Sequence, residues 1–249
     1  MKMSEKVVLL TGGNSGVGQS TVKRFTEEGA TIVAIDIRTD WLEEFAREHT
    51  NVTPVCASVA DREAINRIVA ETIEKYGRID ALLNIAGVFD SFYTVLETDD
   101  ALFEKMMAIN MYGPLYAIKA VLPHMLAADK GSIVTVASIA GTVGFRGGLG
   151  YTMSKHAVVG MTKNIGFTYA DTNVRCNAVC PGGINTPLLT NGHGNASELG
   201  MRRYATGKPI KPRNCEPEEI AEILLFLASD ASSGITGELI HASAGASSY

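Results

Sequence analysis

Tyr151 and Lys155 stand four positions apart in the stretch YTMSK. A phenol and an ammonium at that spacing suggest acid–base chemistry. A free tyrosine has a pKa near ~10, so at pH 7 its phenolate is disfavoured by about three units, or roughly 4 kcal/mol. A neighbouring ammonium favours the anion and recovers part of that cost. In a helix, positions i and i+4 share one face, and the pair then makes a base able to work near neutral pH.

A second chemical signal lies near the amino terminus. Residues 11–18 read TGGNSGVG, between an apolar run and a helical pattern. Glycines there permit a tight turn, and the missing side chains let backbone N–H groups approach a pyrophosphate at a helix amino end. The candidate phosphate-binding residues are Gly12, Asn14, Ser15, Gly16, Val17 and Gly18. Their spacing is G-x3-G-x-G rather than the commoner G-x-G-x-x-G. Asp36 ends the next apolar run, 18 residues after Gly18. A carboxylate there accepts hydrogen bonds from adenosine ribose hydroxyls and repels a 2′-phosphate. NAD is therefore the expected cofactor, although the guanidinium of Arg38, two residues on, could reach a phosphate. Hydride transfer to a nicotinamide needs a group that takes the alcohol proton, which gives Tyr151 its task. Lys155 has a second use, donating to the nicotinamide ribose hydroxyls.

The elements that must position these groups are legible as an alternation. Apolar runs at 6–11, 31–36, 52–56, 80–84, 132–137, 174–179 and 238–241 predict strands. Helical patterns are predicted over 41–49, 61–76, 106–127, 151–170 and 217–229, with another from the Gly-rich turn to about residue 28. Near-continuous apolar strands separated by helices imply a parallel sheet buried on both faces. Right-handed crossovers make it doubly wound. The expectation is one Rossmann-like α/β domain spanning 1–249, of about seven strands with helices on both faces. The segment 188–215 shows no clear periodicity and is a candidate substrate loop.

Composition removes several function classes. The chain has 249 residues, 46% hydrophobic and 20% charged, and a net charge of −5, which argues against a general nucleic-acid surface. No run approaches the roughly 18 to 20 apolar residues of a membrane span. The four cysteines, Cys56, Cys176, Cys180 and Cys215, lack CxxC spacing and are expected to be buried free thiols. His49, His124, His156, His193 and His241 are scattered, so no metal site is expected. Asn51 and Asn195 begin glycosylation-type sequons, which carry meaning only with secretion. No G-x-S-x-G or G-K-[ST] appears. A soluble, reduced, cytoplasmic protein is expected.

The motifs taken jointly resemble the short-chain dehydrogenase/reductase family, in its compact branch of about 250 residues. They are Thr11–Gly18, Asn84-Ile85-Ala86-Gly87, Asn110, Ser138, Tyr151-x3-Lys155 and Pro181-Gly182-Gly183-Ile184-Asn185-Thr186, and the resemblance runs from about residue 6 to 245. It implies that Tyr151 is the general acid/base, Lys155 its electrostatic helper, and Ser138 a donor to the substrate oxygen. Asn110 would hold a water linking Lys155 to solvent. Ile184 and Thr186 would position the carboxamide, with Pro181 and Gly182 beside them. Asn84, Ala86 and Gly87 would support the cofactor and the sheet behind it. Taken alone, Ser138 would be a capping serine and Asn110 a buried helix asparagine. Ser58 stands where the family commonly has an Asp facing the adenine, with the Val59 backbone beside it. Ile85 replaces a second Asn. His241-Ala242-Ser243-Ala244-Gly245 replaces a segment that usually holds Asp-Gly-Gly. The resemblance also implies a homotetramer or homodimer.

For the substrate, the expected pocket wall comprises 139–149, 89–95 and the loop after Thr186, with Val143, Phe145, Leu149, Phe92 and Tyr93 facing a bulky apolar alcohol or ketone. Arg202, Arg203, Lys208, Lys211 and Arg213, against only Glu198, form a cationic lid or an ordinary solvated segment. A hydroxysteroid, possibly a bile acid, fits an apolar body with an anionic tail. The alternatives are a polyol or cyclic alcohol, a 3-oxoacyl substrate and, in a different class, an NAD-binding sensor without turnover.

Overall fold

The computed structural model describes every residue except Phe145, 189–195, 207–211 and Tyr249. Seven strands form one parallel sheet in the order β3-β2-β1-β4-β5-β6-β7. In chain order they are β1 Val7–Thr11, β2 Thr31–Asp36, β3 Val52–Cys56, β4 Ala81–Asn84, β5 Gly131–Val136, β6 Val174–Pro181 and β7 Leu239–Ala242. The central strands are apolar on both faces because helices cover both. Val8 and Leu10 point into one core layer and Leu9 into the other, the period of two that a pleated strand imposes.

One layer holds α1 (Val17–Glu27) and α8 (Pro217–Ala228), which bring Val22, Phe25, Ile220 and Leu224 onto the sheet. The other holds α3 (Arg62–Tyr76) and α5 (Gly113–Ala127), with Ile65, Ile68, Val69, Ile118 and Val121. α3 begins where the Asp61 side chain accepts from the Ala64 N–H at 3.0 Å, and it ends at Gly77, left-handed with φ 74°. α2 (Asp40–Glu48) packs against β3, and α6 (Leu149–Thr168) lies along β6.

Two expectations need correction. The helix predicted over 106–127 starts earlier and is interrupted. α4 (Asp100–Met107) leads into a π-helical turn at Ala108–Tyr112, and α5 follows directly. Such one-turn widenings recur at functional sites, and this one contains Asn110. The segment 188–215 is not all loop, since it contains α7 (Glu198–Thr206).

β1 pairs with β2 on one side and β4 on the other. This is the point where strand order reverses, and the crevice outside it is where open parallel sheets bind ligands. Among the described residues, no helix is long and apolar enough to cross a membrane, and no group of three or more His, Cys, Asp or Glu could hold a metal. All four cysteines are free; Cys176, Cys180 and Cys215 are buried, whereas Cys56 is exposed.

Candidate active site

A cavity of about 610 Å³ opens at the carboxyl ends of the strands. The turn after β1 supplies Gly12, Ser15, Gly16 and Val17; Asp36 comes from the end of β2, and Ser58 and Val59 follow β3. Ala86 and Gly87 follow β4, Ser138 follows β5, and Tyr151 and Lys155 project from α6. Pro181, Gly182, Ile184 and Thr186 complete the lining at the end of β6. The strand ends thus bring Gly12 and Thr186, 174 positions apart, to one cavity.

The Gly-rich turn fits a pyrophosphate. Gly16 precedes α1 with φ 50°, and no side chain caps the helix, so its amino end faces the cavity without a carboxylate or hydroxyl of its own. Close packing holds the turn in place: a Cβ on Gly18 would lie 1.8 Å from the Gly12 carbonyl oxygen. Gly18 therefore does not line the cavity, contrary to expectation; it lets α1 sit directly on the turn. Asn14 is also turned away. Its Oδ1 accepts from the Leu42 N–H at 3.1 Å and its Nδ2 donates to Asp40 Oδ1 at 2.9 Å, tying the turn to α2. The Asn14 N–H donates to Asp36 Oδ2 at 3.0 Å, and the Arg38 N–H donates to Asp36 Oδ1 at 3.2 Å. These bonds hold the Asp36 carboxylate at the cavity edge. Arg38 lines the cavity as well.

Asn84 and Asn110 are likewise off the lining. Asn84 is buried and donates through Nδ2 to Thr135 Oγ1 at 3.3 Å, and its Oδ1 has no hydrogen-bond partner among the described residues. Asn110 uses both ends of its amide on one residue: Oδ1 accepts from the Val88 N–H and Nδ2 donates to the Val88 carbonyl, each at 2.9 Å. Nδ2 also reaches Ser154 Oγ at 3.2 Å. The π turn thus aims Asn110 at the segment after β4 and clamps it to α6. Asn110 and Lys155 converge on Gly87, where a Cβ would lie 3.3 Å from Asn110 Oδ1 and 3.7 Å from Lys155 Nζ.

The Tyr151–Lys155 pair shares one face of α6, but its electrostatics differ from the expectation. Lys155 is buried and donates from Nζ to the Val136 carbonyl at 2.8 Å; Nζ lies 5.6 Å from the centre of the Tyr151 ring. Burial pulls the ammonium pKa down to about 8. Burial also pushes the Tyr151 phenol up to about 12; a hydrogen bond with Ser138 opposes this, while Asp90 and Cys180 add to it. The cavity nonetheless brings together a phenol, a hydroxyl and an amine around one space. That set can take a proton from an alcohol and donate to the oxygen that carried it.

Of the expected apolar wall, Phe92 and Leu188 line the cavity, whereas Tyr93, Val143 and Leu149 do not, and Phe145 lies outside the described residues. Phe89, Arg146, Pro187 and Tyr204, within the expected segments, also line it, whereas Leu102, Lys105, Met106 and Ile109 come from outside them. These four follow helical spacing, and α4, which carries the first three, lies largely ahead of the helix predicted over 106–127. The cationic set also thins out. Arg213 is paired with Glu219 at 2.6 Å, at the start of α8, while Arg202 and Arg203 are exposed on α7. Lys208, Lys211, His193 and Asn195 lie outside the described residues.

Known proteins agree with this geometry. A family model described as enoyl-(acyl carrier protein) reductase matches residues 12–247. A 3beta-hydroxysteroid dehydrogenase 2 of Eggerthella lenta is 37% identical over 252 residues, covering 99% of this chain and 96% of that one. A 3-oxoacyl-[acyl-carrier-protein] reductase of Thermotoga maritima is 38% identical over 245 residues, covering 96% and 97%. Among solved structures, ElxO with NADP bound superposes with a TM-score of 0.84 at 28% identity, covering all of both chains. Fold, cavity and these similarities together place the chain in the short-chain dehydrogenase/reductase family, as an NAD(P)-dependent oxidoreductase.

Proposed function

We propose that the protein oxidises a secondary alcohol to a ketone, prefers NAD, and takes a hydroxysteroid, with a bile acid as the leading form. The observation that carries the substrate class is the apolar wall beside Tyr151. Phe89, Phe92, Leu102, Met106, Ile109 and Tyr204 line the cavity, and the Phe89 and Tyr151 rings meet edge to face with their centres 4.9 Å apart. A fused apolar ring system suits such a wall. Lys105 and Arg146 carry positive charge into the same cavity, which suits a distant carboxylate. The Eggerthella relative, named for a hydroxysteroid, supports the reading.

Gly12, Ser15, Gly16 and Val17 would hold the pyrophosphate, Asp36 a ribose, and Ser58 and Val59 the adenine. Ala86, Gly87, Pro181, Gly182, Ile184 and Thr186 would hold the nicotinamide end. A bound oxidised nicotinamide would supply the acceptor for the hydride that leaves the carbinol carbon. Tyr151, once its own proton has been released, takes the hydroxyl proton at Oη as the phenolate, the C–O bond becomes a carbonyl, and the Ser138 hydroxyl donates to that oxygen. Lys155 donates toward a ribose hydroxyl, and Asn110 keeps the segment after β4 against α6.

A second reading, a 3-oxoacyl reductase using NADPH, is favoured by Arg38 in the cavity and by the Thermotoga relative. Small polyols and cyclic alcohols remain the other substrate class. The test follows absorbance at 340 nm with NAD or NADP across bile acids, other steroids, polyols and cyclic alcohols. Turnover with a carboxylated steroid and NAD supports the proposal. Turnover confined to polyols retires the steroid, and a wide preference for NADPH retires the Asp36 argument. Binding of NADH without turnover of any substrate would favour a sensor. Sedimentation of the intact protein tests the proposed homotetramer or homodimer.

A further inference from the structure

Asp90 follows Gly87 by three residues, in the loop between β4 and α4, and is only 2% exposed. Its Oδ1 accepts from the Gly148 N–H at 2.9 Å and its Oδ2 from the Tyr151 N–H at 2.8 Å. Gly148 precedes α6, which has no side-chain cap of its own. Asp90 supplies that cap from 58 residues away, placing a carboxylate at the positive end of the helix. The Leu149 N–H donates to the Tyr93 carbonyl at 2.9 Å. Three N–H groups at the start of the helix bearing Tyr151 therefore end on the loop 90–93.

The arrangement leaves little slack. A Cβ on Gly148 would lie 2.6 Å from both Asp90 carboxylate oxygens. Ser91 and Phe92 hold φ of 52° and 62°, a left-handed conformation that residues other than glycine seldom adopt and that persists where the surroundings enforce it. On its far side the loop meets α7: the Ser197 N–H donates to the Ser91 carbonyl at 3.1 Å, and the Phe92 and Tyr204 rings are 4.6 Å apart.

We infer that Asp90 is a positioning residue for Tyr151. Its carboxylate fixes the first turn of α6 and so the phenol, and its negative charge sets where on the pH scale that phenol releases its proton. The inference rests on the reading of Tyr151 as the proton-transfer group. The other groups that face the phenol are Lys155 on its own helix, Cys180 from β6 and the Ser138 hydroxyl after β5, with Arg146 lining the same cavity. None of them is altered by replacing Asp90.

The experiment compares wild type, Asp90→Asn and Tyr151→Phe, with NAD and the best alcohol from the 340 nm screen. Asparagine accepts at one oxygen but turns an N–H donor toward the second backbone N–H, and it carries no charge. The expected result for Asp90→Asn is a kcat lower by about 10- to 100-fold, with KM within about threefold of wild type. The acid limb of its kcat profile should move to lower pH, because removing a neighbouring negative charge favours the phenolate. If Tyr151→Phe turns over like wild type, the reading of the tyrosine fails. If Tyr151→Phe is inactive while Asp90→Asn keeps both the wild-type kcat and limb, Asp90 has no such role and the tyrosine reading stands. A lower melting temperature with an unmoved limb also overturns the inference, leaving a structural bond only. Should Asp90→Asn fail to fold, Gly148→Ala displaces the same carboxylate, and unchanged kcat there overturns it. In the wild-type chain, the amides of 147–153 should exchange slowly with deuterium; fast exchange would refute the fixed first turn.

Discussion

Replacing Lys155 with Met should change how stability responds to pH. In the native chain burial holds the Lys155 pKa at about 8, against 10.5 for the ordinary side chain. Between those values the unfolded chain binds the proton and the native chain does not, so wild-type stability rises with pH. The gap is 10.5 − 8 = 2.5 units, which at about 1.36 kcal/mol per unit is about 3.4 kcal/mol in all. About 2 kcal/mol of it falls between pH 8 and pH 10. Met removes this contribution while filling similar space. It also strips the Val136 carbonyl of its donor, at about 1–3 kcal/mol, but an amine and an ammonium both donate there, so that loss is nearly independent of pH. Cys180 and Tyr151, pushed up to about 11 and about 12, stay protonated in the native state across the window in both proteins. The assay is urea unfolding of the cofactor-free protein at fixed concentration, at pH 8, 9 and 10. Wild type should gain about 2 kcal/mol on the variant, or roughly 4–8 °C in Tm. Parallel profiles for the two proteins would mean that Lys155 is not held near pH 8, and the burial argument would fail.

Three further outcomes are expected. Tyr151→Phe should lower kcat by about 10²- to 10⁴-fold while leaving NADH binding, followed by fluorescence, near that of wild type. Gly18→Ala should cost at least about 3 kcal/mol, read from urea midpoints, because backbone on both sides prevents relaxation; a loss below about 0.5 kcal/mol would contradict the close contact with Gly12. Arg213 and the Glu216 N–H hold the Glu219 carboxyl down to about 2, from 4.5. The stability this gives is present above 4.5 and lost as pH falls toward 2. The melting advantage of wild type over Glu219→Gln should therefore shrink on acidification through that window.

Most of the sheet was legible because its strands are short apolar runs, and burial on both faces leaves little else for such runs to do. The glycine turn and Asp36 were legible because they stand at strand ends on one edge of the sheet, Tyr151 because of its i,i+4 spacing to Lys155, and Ser138 only through the family resemblance. What escaped has a physical pattern. Asn14 and Gly18 belong to a binding motif, yet one braces the turn and the other admits a backbone contact; residue type alone does not distinguish touching a ligand from holding the loop that touches it. The π turn that carries Asn110, itself named through the resemblance, leaves no periodic signature, since one inserted residue only shifts the helical phase. Asp90 gave no signal because its partners are 58 and 61 residues away. The upward push on the Tyr151 phenol gave no signal because burial, its largest cause, depends on residues from several elements and not on the spacing to Lys155.

The strand order has a consequence in time as well as in space. β4 reaches its place beside β1 only after β2 and β3 have been laid outward on the other side. Ser138, the 151–155 pair and residues 181–186 then arrive in sequence, each closing a longer loop back to residues 12–17. Closing such loops is entropically slow. During synthesis the nucleotide-facing half can form while the proton-transfer half is still being made. A chain stopped before β5 would hold the glycine turn and Asp36 yet lack Ser138, Tyr151 and Lys155, so the nucleotide-facing residues are laid down before any capacity for turnover exists.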